Sequence, residues 1–172
     1  IMTQKITSGS LFLILIISII TLSRCRKDEF NNDPGFRLAF STDTVMFDTV
    51  FTTIGSSTQS LVVRNHSSNK INISKISLAR GKASPFRINI DGTAAEEYRD
   101  LEIGPNDSAY IFVKVTIDPN QGNTPMVETD SIVFETNGQV QDVKLVAWGQ
   151  DAYFHLNTTL HGNVTLPADK PH

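Results

Sequence analysis

The chain has 172 residues, with 18 acidic side chains against 15 basic ones and a formal net charge of -3. Apolar residues make up 40% and charged residues 19%, which is too apolar for a disordered chain and too weakly charged for an electrostatic nucleic-acid binder. A single cysteine excludes an intrachain disulfide framework and a multi-cysteine zinc site.

Residues 11–22, LFLILIISIITL, form a nearly unbroken apolar run. A membrane-spanning helix needs about 20 such residues, so the run is short for that purpose. With Lys5 upstream, it fits the apolar core of a secretory signal peptide over residues 1–24. The charged cluster Arg26-Lys27-Asp28-Glu29 follows, then Phe30-Asn31-Asn32-Asp33-Pro34-Gly35, whose turn residues make 25–35 a flexible tether.

From Phe36 onward, apolar residues recur with a period of two. Ile111, Val113, Val115 and Ile117 share one face of a strand, and Tyr110, Phe112, Lys114 and Thr116 share the other. Strands are expected over 36–40, 44–47, 59–65, 71–78, 86–90, 109–117, 131–136 and 140–148. Asn137-Gly138 favours positive φ at both centres of a type I′ turn, so the last two strands read as a hairpin. Ile71 and Ile73 have opposite parity to Ile76 and Leu78, and a β-bulge near Ser74-Lys75 would bring all four onto one face. Residues 94–100 read as a helical turn. Seven to nine short strands over 36–150 make an all-β, immunoglobulin-like β-sandwich. Residues 151–172 are polar and lose the alternation, as in a linker or the start of a truncated C-terminal domain.

Catalytic signatures are missing from the sequence: there is no phosphate loop, no G-x-S-x-G elbow and no G-x-G-x-x-G. The expectation is no catalytic residue, no cofactor and no metal site. His66, His155, His161 and His172 fall in turns or the tail without the helical spacing of a zinc motif, although His155 and His161 are close enough in sequence to meet. Asp118, Asn120 and Asn123 lack the closing Glu of a calcium loop. Glu96, Glu97, Asp100 and Glu102 read as solvated charges rather than a glycosidase pair. Tyr110, Phe112 and Trp148 are candidate ligand-facing aromatics, forming a row on one sheet face for a glycan or a surface protein.

Several segments resemble known families. Leu22-Ser23-Arg24-Cys25 resembles a bacterial lipobox, with Arg24 where that pattern has a small residue, and the resemblance implies lipidation at Cys25. Lys27-Asp28-Glu29 resembles the surface-export signal of lipoproteins in some diderm bacteria. Thr44, Thr49, Ser108 and Ser131 each follow an Asp and precede an apolar residue, which resembles an O-glycosylation motif of exported diderm proteins. The same pairs also suit a chain passing from a turn into a strand.

Asp48-Thr49-Val50-Phe51, Gly55-Ser56-Ser57-Thr58-Gln59, Leu61-Val62-Val63-Arg64-Asn65 and the run from Ile71 to Leu78 look like the opening of an Ig-like module of the ASH/major-sperm-protein type. Asn137-Gly138, Gln141-Asp142-Val143 and Trp148-Gly149-Gln150 resemble surface lipoproteins of diderm bacteria in which this module precedes a right-handed parallel β-helix. The resemblance implies a non-catalytic scaffold on the outer membrane, held to it by a lipid at Cys25, with glycans or surface proteins as partners and no nucleic acid. The alternatives it leaves are an adhesin domain and the stalk of a β-helix enzyme acting on polysaccharide.

Overall fold

A strand with one apolar face needs a second layer to cover it. The computed structural model describes residues 29–119, 126–159 and 161–172, and solves this requirement with two five-stranded sheets packed face to face. In chain order the strands are β1 (Ala39–Phe40), β2 (Thr44–Phe51), β3 (Gln59–Arg64), β4 (Ile71–Leu78), β5 (Phe86–Ile90), β6 (Thr93–Ala95), β7 (Glu97–Ile103), β8 (Ser108–Val115), β9 (Met126–Thr136) and β10 (Gln139–Gln150). The first sheet runs β1-β3-β8-β5-β6 and the second β2-β10-β9-β4-β7. Every neighbouring pair is antiparallel except β2 and β10, which are parallel. The N-terminal strand is thus split, with β1 edging one sheet and β2 the other. This is an immunoglobulin-like β-sandwich.

The alternation decides what is buried. Ile111, Val113, Val115 and Ile117 point inward, as do Ile132 and Phe134 on β9 and Val143, Leu145 and Ala147 on β10. Two aromatic contacts pin the sheets together: Phe47 of β2 on Phe86 of β5, with ring centroids 5.9 Å apart, and Phe40 of β1 on Phe134 of β9 at 4.8 Å. Edge-to-face and tilted pairs of this kind add about 0.5–1.5 kcal/mol beyond the area they bury.

The bulge expected near Ser74-Lys75 is present. The β4–β9 register shifts between Ile73 and Lys75, the Ser74 hydroxyl donates to the Glu135 carbonyl, and Ile71, Ile73, Ile76 and Leu78 are all buried. A second shift, between Ala147 and Trp148, leaves Asp48 unpaired opposite β10 and brings Val50 inward after Phe47. Asn137 and Gly138 have φ of 51° and 77°, the type I′ turn expected there, with Thr136 facing Gln139.

Residues 94–100 correct the sequence reading: they hold the end of β6 and the first part of β7, not a helical turn. Asp91 (φ 51°) and Gly92 (φ 78°) make a second two-residue turn with Ile90 facing Thr93, which commits the chain to a strand. Strand β7 then lies at the edge of the second sheet, where Glu97, Arg99, Asp100 and Glu102 stand out into solvent. Charge on an exposed edge blocks pairing with another chain, and here it hides the period of two.

The chain reaches and leaves the sandwich at opposite ends of the second sheet. The segment read as a flexible tether is tied down from Glu29 onward. Lys70 N–H donates to the Glu29 carbonyl (3.1 Å), Asn31 N–H to the Lys70 carbonyl (2.7 Å), and the Asn137 amide to the carbonyls of Asn31 (2.8 Å) and Asp33 (3.1 Å). These are backbone groups that composition alone cannot place. Further on, Gln141 behaves like a strand neighbour for Leu38, accepting from its N–H (2.8 Å) and donating to its carbonyl (3.1 Å). Strand β10 carries the chain from the Asn137-Gly138 turn to Gln150, about 37 Å at 3.4 Å per residue.

Candidate functional site

Cys25, Lys27 and Asp28 lie outside the described residues, as does the apolar run 11–22. Among the described residues no helix is long and apolar enough to cross a membrane. Glu29, the last residue of the export-like cluster, is exposed and engages Lys70 through its backbone.

The three candidate aromatics do not form one row. Tyr110 and Phe112 stand on the outer face of the first sheet, because β8 turns Ile111 and Val113 inward. Trp148 stands on the outer face of the second sheet, on β10 beside Val127 and next to the facing pair Met46 and Val146. Parity fixes whether a side chain points in or out but not which sheet carries it, so the sequence could not separate them.

Tyr110 and Phe112 are 55% and 43% exposed, with ring centroids 6.5 Å apart and planes only 17° from parallel. Beside them lies a groove of about 570 Å³, lined by Leu101, Glu102, Ser108 and the Asp91-Gly92 turn as well as by the two rings. It lies between the Asp91-Gly92 turn and β8 of the first sheet and the Leu101-Glu102 part of β7 in the second. Sequence reasoning missed Asp91 and Leu101 and read Glu102 only as a solvated charge. The Asp-Gly pair after an apolar run was the available signal, equivalent to the Asn-Gly pair that was used.

The candidate glycosylation positions have visible structural roles. The Asp48 carboxylate accepts from Thr49 N–H (2.7 Å), Asp107 from Ser108 N–H (2.7 Å), and Asp130 from Ser131 N–H (2.8 Å) and Arg80 N–H (3.1 Å). In each case the acid holds the backbone N–H of the next residue: Asp48 at the β2 bulge, Asp107 at the start of β8, and Asp130 inside β9. Thr49 is exposed, whereas Thr44, Ser108 and Ser131 are half-buried. Ser131 faces Lys144 across β9 and β10, and the neighbouring Asp142 carboxyl is held below its ordinary range chiefly by the hydrogen bond from Lys144 and also by the one from Ser131.

The acidic stretch is dispersed into cross-strand pairs. Glu97 pairs with Lys75 across the strands (3.9 Å) and with Arg99 along its own strand (2.7 Å), Glu102 pairs with Lys70 (3.8 Å), and Asp100 accepts from the Asn72 amide (3.2 Å). Exposed pairs of this sort contribute about 0–1 kcal/mol each. His155 meets His172, not His161: their rings stack and share a hydrogen bond of 2.9 Å, and His172 also stacks on Tyr153. Among the described residues no three His, Cys, Asp or Glu side chains converge as a metal set.

The tail folds back on the end of the sandwich where β10 finishes. Phe154 meets Phe51 edge-on at 5.7 Å, Tyr153 N–H donates to the Pro171 carbonyl (2.7 Å), and Lys170 pairs with Asp151 at 3.1 Å. Asp151 is held below the usual carboxylate range by hydrogen bonds from Thr52 and Lys170, and Lys170 is pushed up by Asp151.

No family model and no curated protein matches the chain. Solved structures do resemble it. A protein of unknown function from Porphyromonas gingivalis W83 has a TM-score of 0.44 and 12% identity over 66% of this chain and 48% of its own length. The human CEP192 ASH/PapD-like domain 7 has a TM-score of 0.42 and 11% identity, covering 71% of this chain and 89% of that one. The Escherichia coli chaperone DraB follows at 0.41 and 10%, over 67% and 55%. In two of these three, the likeness takes in only about half of the other chain.

Proposed function

We propose that this chain is a non-catalytic, lipid-anchored module of the outer-membrane surface whose sandwich serves as a spacer and docking platform. One observation supports it above the others. The chain meets the sandwich at the Lys70 and Asn137 end and leaves it after Gln150, a strand length of about 37 Å away. A module with neighbouring termini would hold nothing off; one with termini at opposite poles sets a distance. Residues 29–33 are hydrogen-bonded to the sandwich at one pole and Gln150 accepts from Thr52 N–H at the other, which supports a defined distance between the two points. In the lipoproteins that the sequence resembles, a right-handed parallel β-helix follows, and the sandwich would set its height above the membrane. One acyl chain anchors only marginally, so stable attachment at Cys25 needs the two or three chains of a mature bacterial lipoprotein.

Two measurements test this reading. Detergent-phase partitioning of the protein made in a diderm host is expected to be lost in Cys25→Ser; partitioning unchanged by that substitution removes the anchor. In the Cys25→Ser background, spin labels at Asn32→Cys and Ile54→Cys report the distance between the poles. A single narrow distribution centred at about 35–45 Å is expected from the length of β10. A broad one, or one centred below about 25 Å, refutes the spacer.

A further inference from the structure

We propose that the groove beside Tyr110 and Phe112 binds a neutral pyranose of a glycan. This goes beyond the spacer reading and does not depend on the lipid anchor. The two rings stand one i, i+2 repeat apart on β8 and near-parallel, so they offer planar apolar faces at the groove's edge. Leu101 continues the apolar wall, and Asp91, Glu102 and Ser108 supply the polar one. Among the described residues the Asp91 carboxylate and the hydroxyls of Ser108 and Tyr110 have no hydrogen-bond partner, while Glu102 has only its 3.8 Å pair with Lys70. The polar groups that line the groove are therefore available to a ligand.

That combination selects a chemistry. A pyranose has C–H faces that lie against aromatic rings and a rim of hydroxyls that donate to carboxylates. Two acids repel sulfated or uronic sugars, so charge restricts the occupant to neutral ones. The volume of about 570 Å³ is in the range of small-molecule sites. The rim is also held in place: Asp91 and Gly92 sit in a two-residue turn that fixes both φ angles, and β8 is central in its sheet, so the site loses little freedom on binding.

The test is a neutral-oligosaccharide array with the full chain in detergent micelles, followed by titration calorimetry on the best binder. Tyr110→Ala is expected to weaken binding about tenfold or more, and Asp91→Asn several-fold. Trp148→Ala, on the opposite sheet, is expected to leave it within about twofold. Far-UV circular dichroism checks each variant; if Tyr110→Ala fails to fold, the surface changes Asp91→Asn and Ser108→Ala carry the test. The proposal is overturned if the folded protein binds no neutral glycan, or if Tyr110→Ala and Asp91→Asn bind as wild type does. Binding confined to acidic glycans, or to Lys- and Arg-rich peptides, also overturns it.

Discussion

Replacing Asn65 with alanine removes a side chain that ties two turns together at the pole where the tether docks. Asn65 directly follows β3 and is 1% exposed. Its amide nitrogen donates to the carbonyls of Asn69 (2.8 Å) and Gly104 (2.7 Å), with a longer contact to Ile103 (3.2 Å). Its amide oxygen accepts from Ser67 N–H (2.8 Å). Three short bonds at about 0.5–1.5 kcal/mol each give an expected loss of about 3 kcal/mol. With a urea m-value of about 2 kcal/mol/M, the unfolding midpoint should fall by about 1.5 M. Asn65→Asp sharpens the test, because it keeps the acceptor for Ser67 but turns oxygen lone pairs toward three carbonyls. The introduced carboxyl is disfavoured when ionised in the folded state, so its folded pKa lies above its unfolded value. The extra destabilisation of Asn65→Asp over Asn65→Ala is therefore expected at neutral pH and should shrink as pH falls toward 4. A midpoint shift under about 0.5 M for the alanine variant, or an aspartate variant as stable as wild type at pH 7, would refute the reasoning.

Two further predictions follow from packing and charge. A Cβ on Gly149 would come within 3.0–3.1 Å of Ile117, so Gly149→Ala should destabilise by about 1–3 kcal/mol through overpacking, read in the same urea titration; an unchanged midpoint would show that Ile117 has room to move. The Asp151–Lys170 contact involves an acid shifted down from 3.8 and a base shifted up from 10.5. The acid's contribution is present above its unfolded value and lost only as pH drops through the lowered folded one; the base's is lost only as pH rises beyond 10.5. Amide exchange at Tyr153 should accordingly stay protected, relative to intrinsic rates, between pH 5 and pH 9, and Lys170→Met should expose it at every pH; protection that vanishes between pH 5 and pH 6 in the wild type would contradict this assignment.

The in-or-out pattern of the body was legible because both sheets follow a period of two. The Ser74 bulge was readable from the parity change between Ile73 and Ile76, and the Asn137-Gly138 turn from its positive-φ chemistry. Strand β7 was not legible, since an edge strand answers to solubility and carries charge at positions where a central strand would carry valine or isoleucine. The aromatic groove was half legible. The exposure of Tyr110 and Phe112 follows from alternation, but their separation from Trp148 depends on strand order, which is a property of long-range pairing. The clamp on the N-terminal segment left no signal either, because a turn asparagine that also reaches backbone carbonyls more than a hundred positions away looks like any other turn asparagine.

The parallel pairing of β2 with β10 bears on mechanics. Seven residue pairs, from Thr44 with Lys144 to Phe51 with Gln150, join the first strand of the second sheet to its last. A pull between the tether and the tail draws β2 back toward its start and β10 onward past its end. Parallel neighbours drawn in opposite directions are loaded in shear, so their hydrogen bonds take the force together instead of opening one at a time. A force applied between those two points would therefore meet the seven pairs together rather than in sequence.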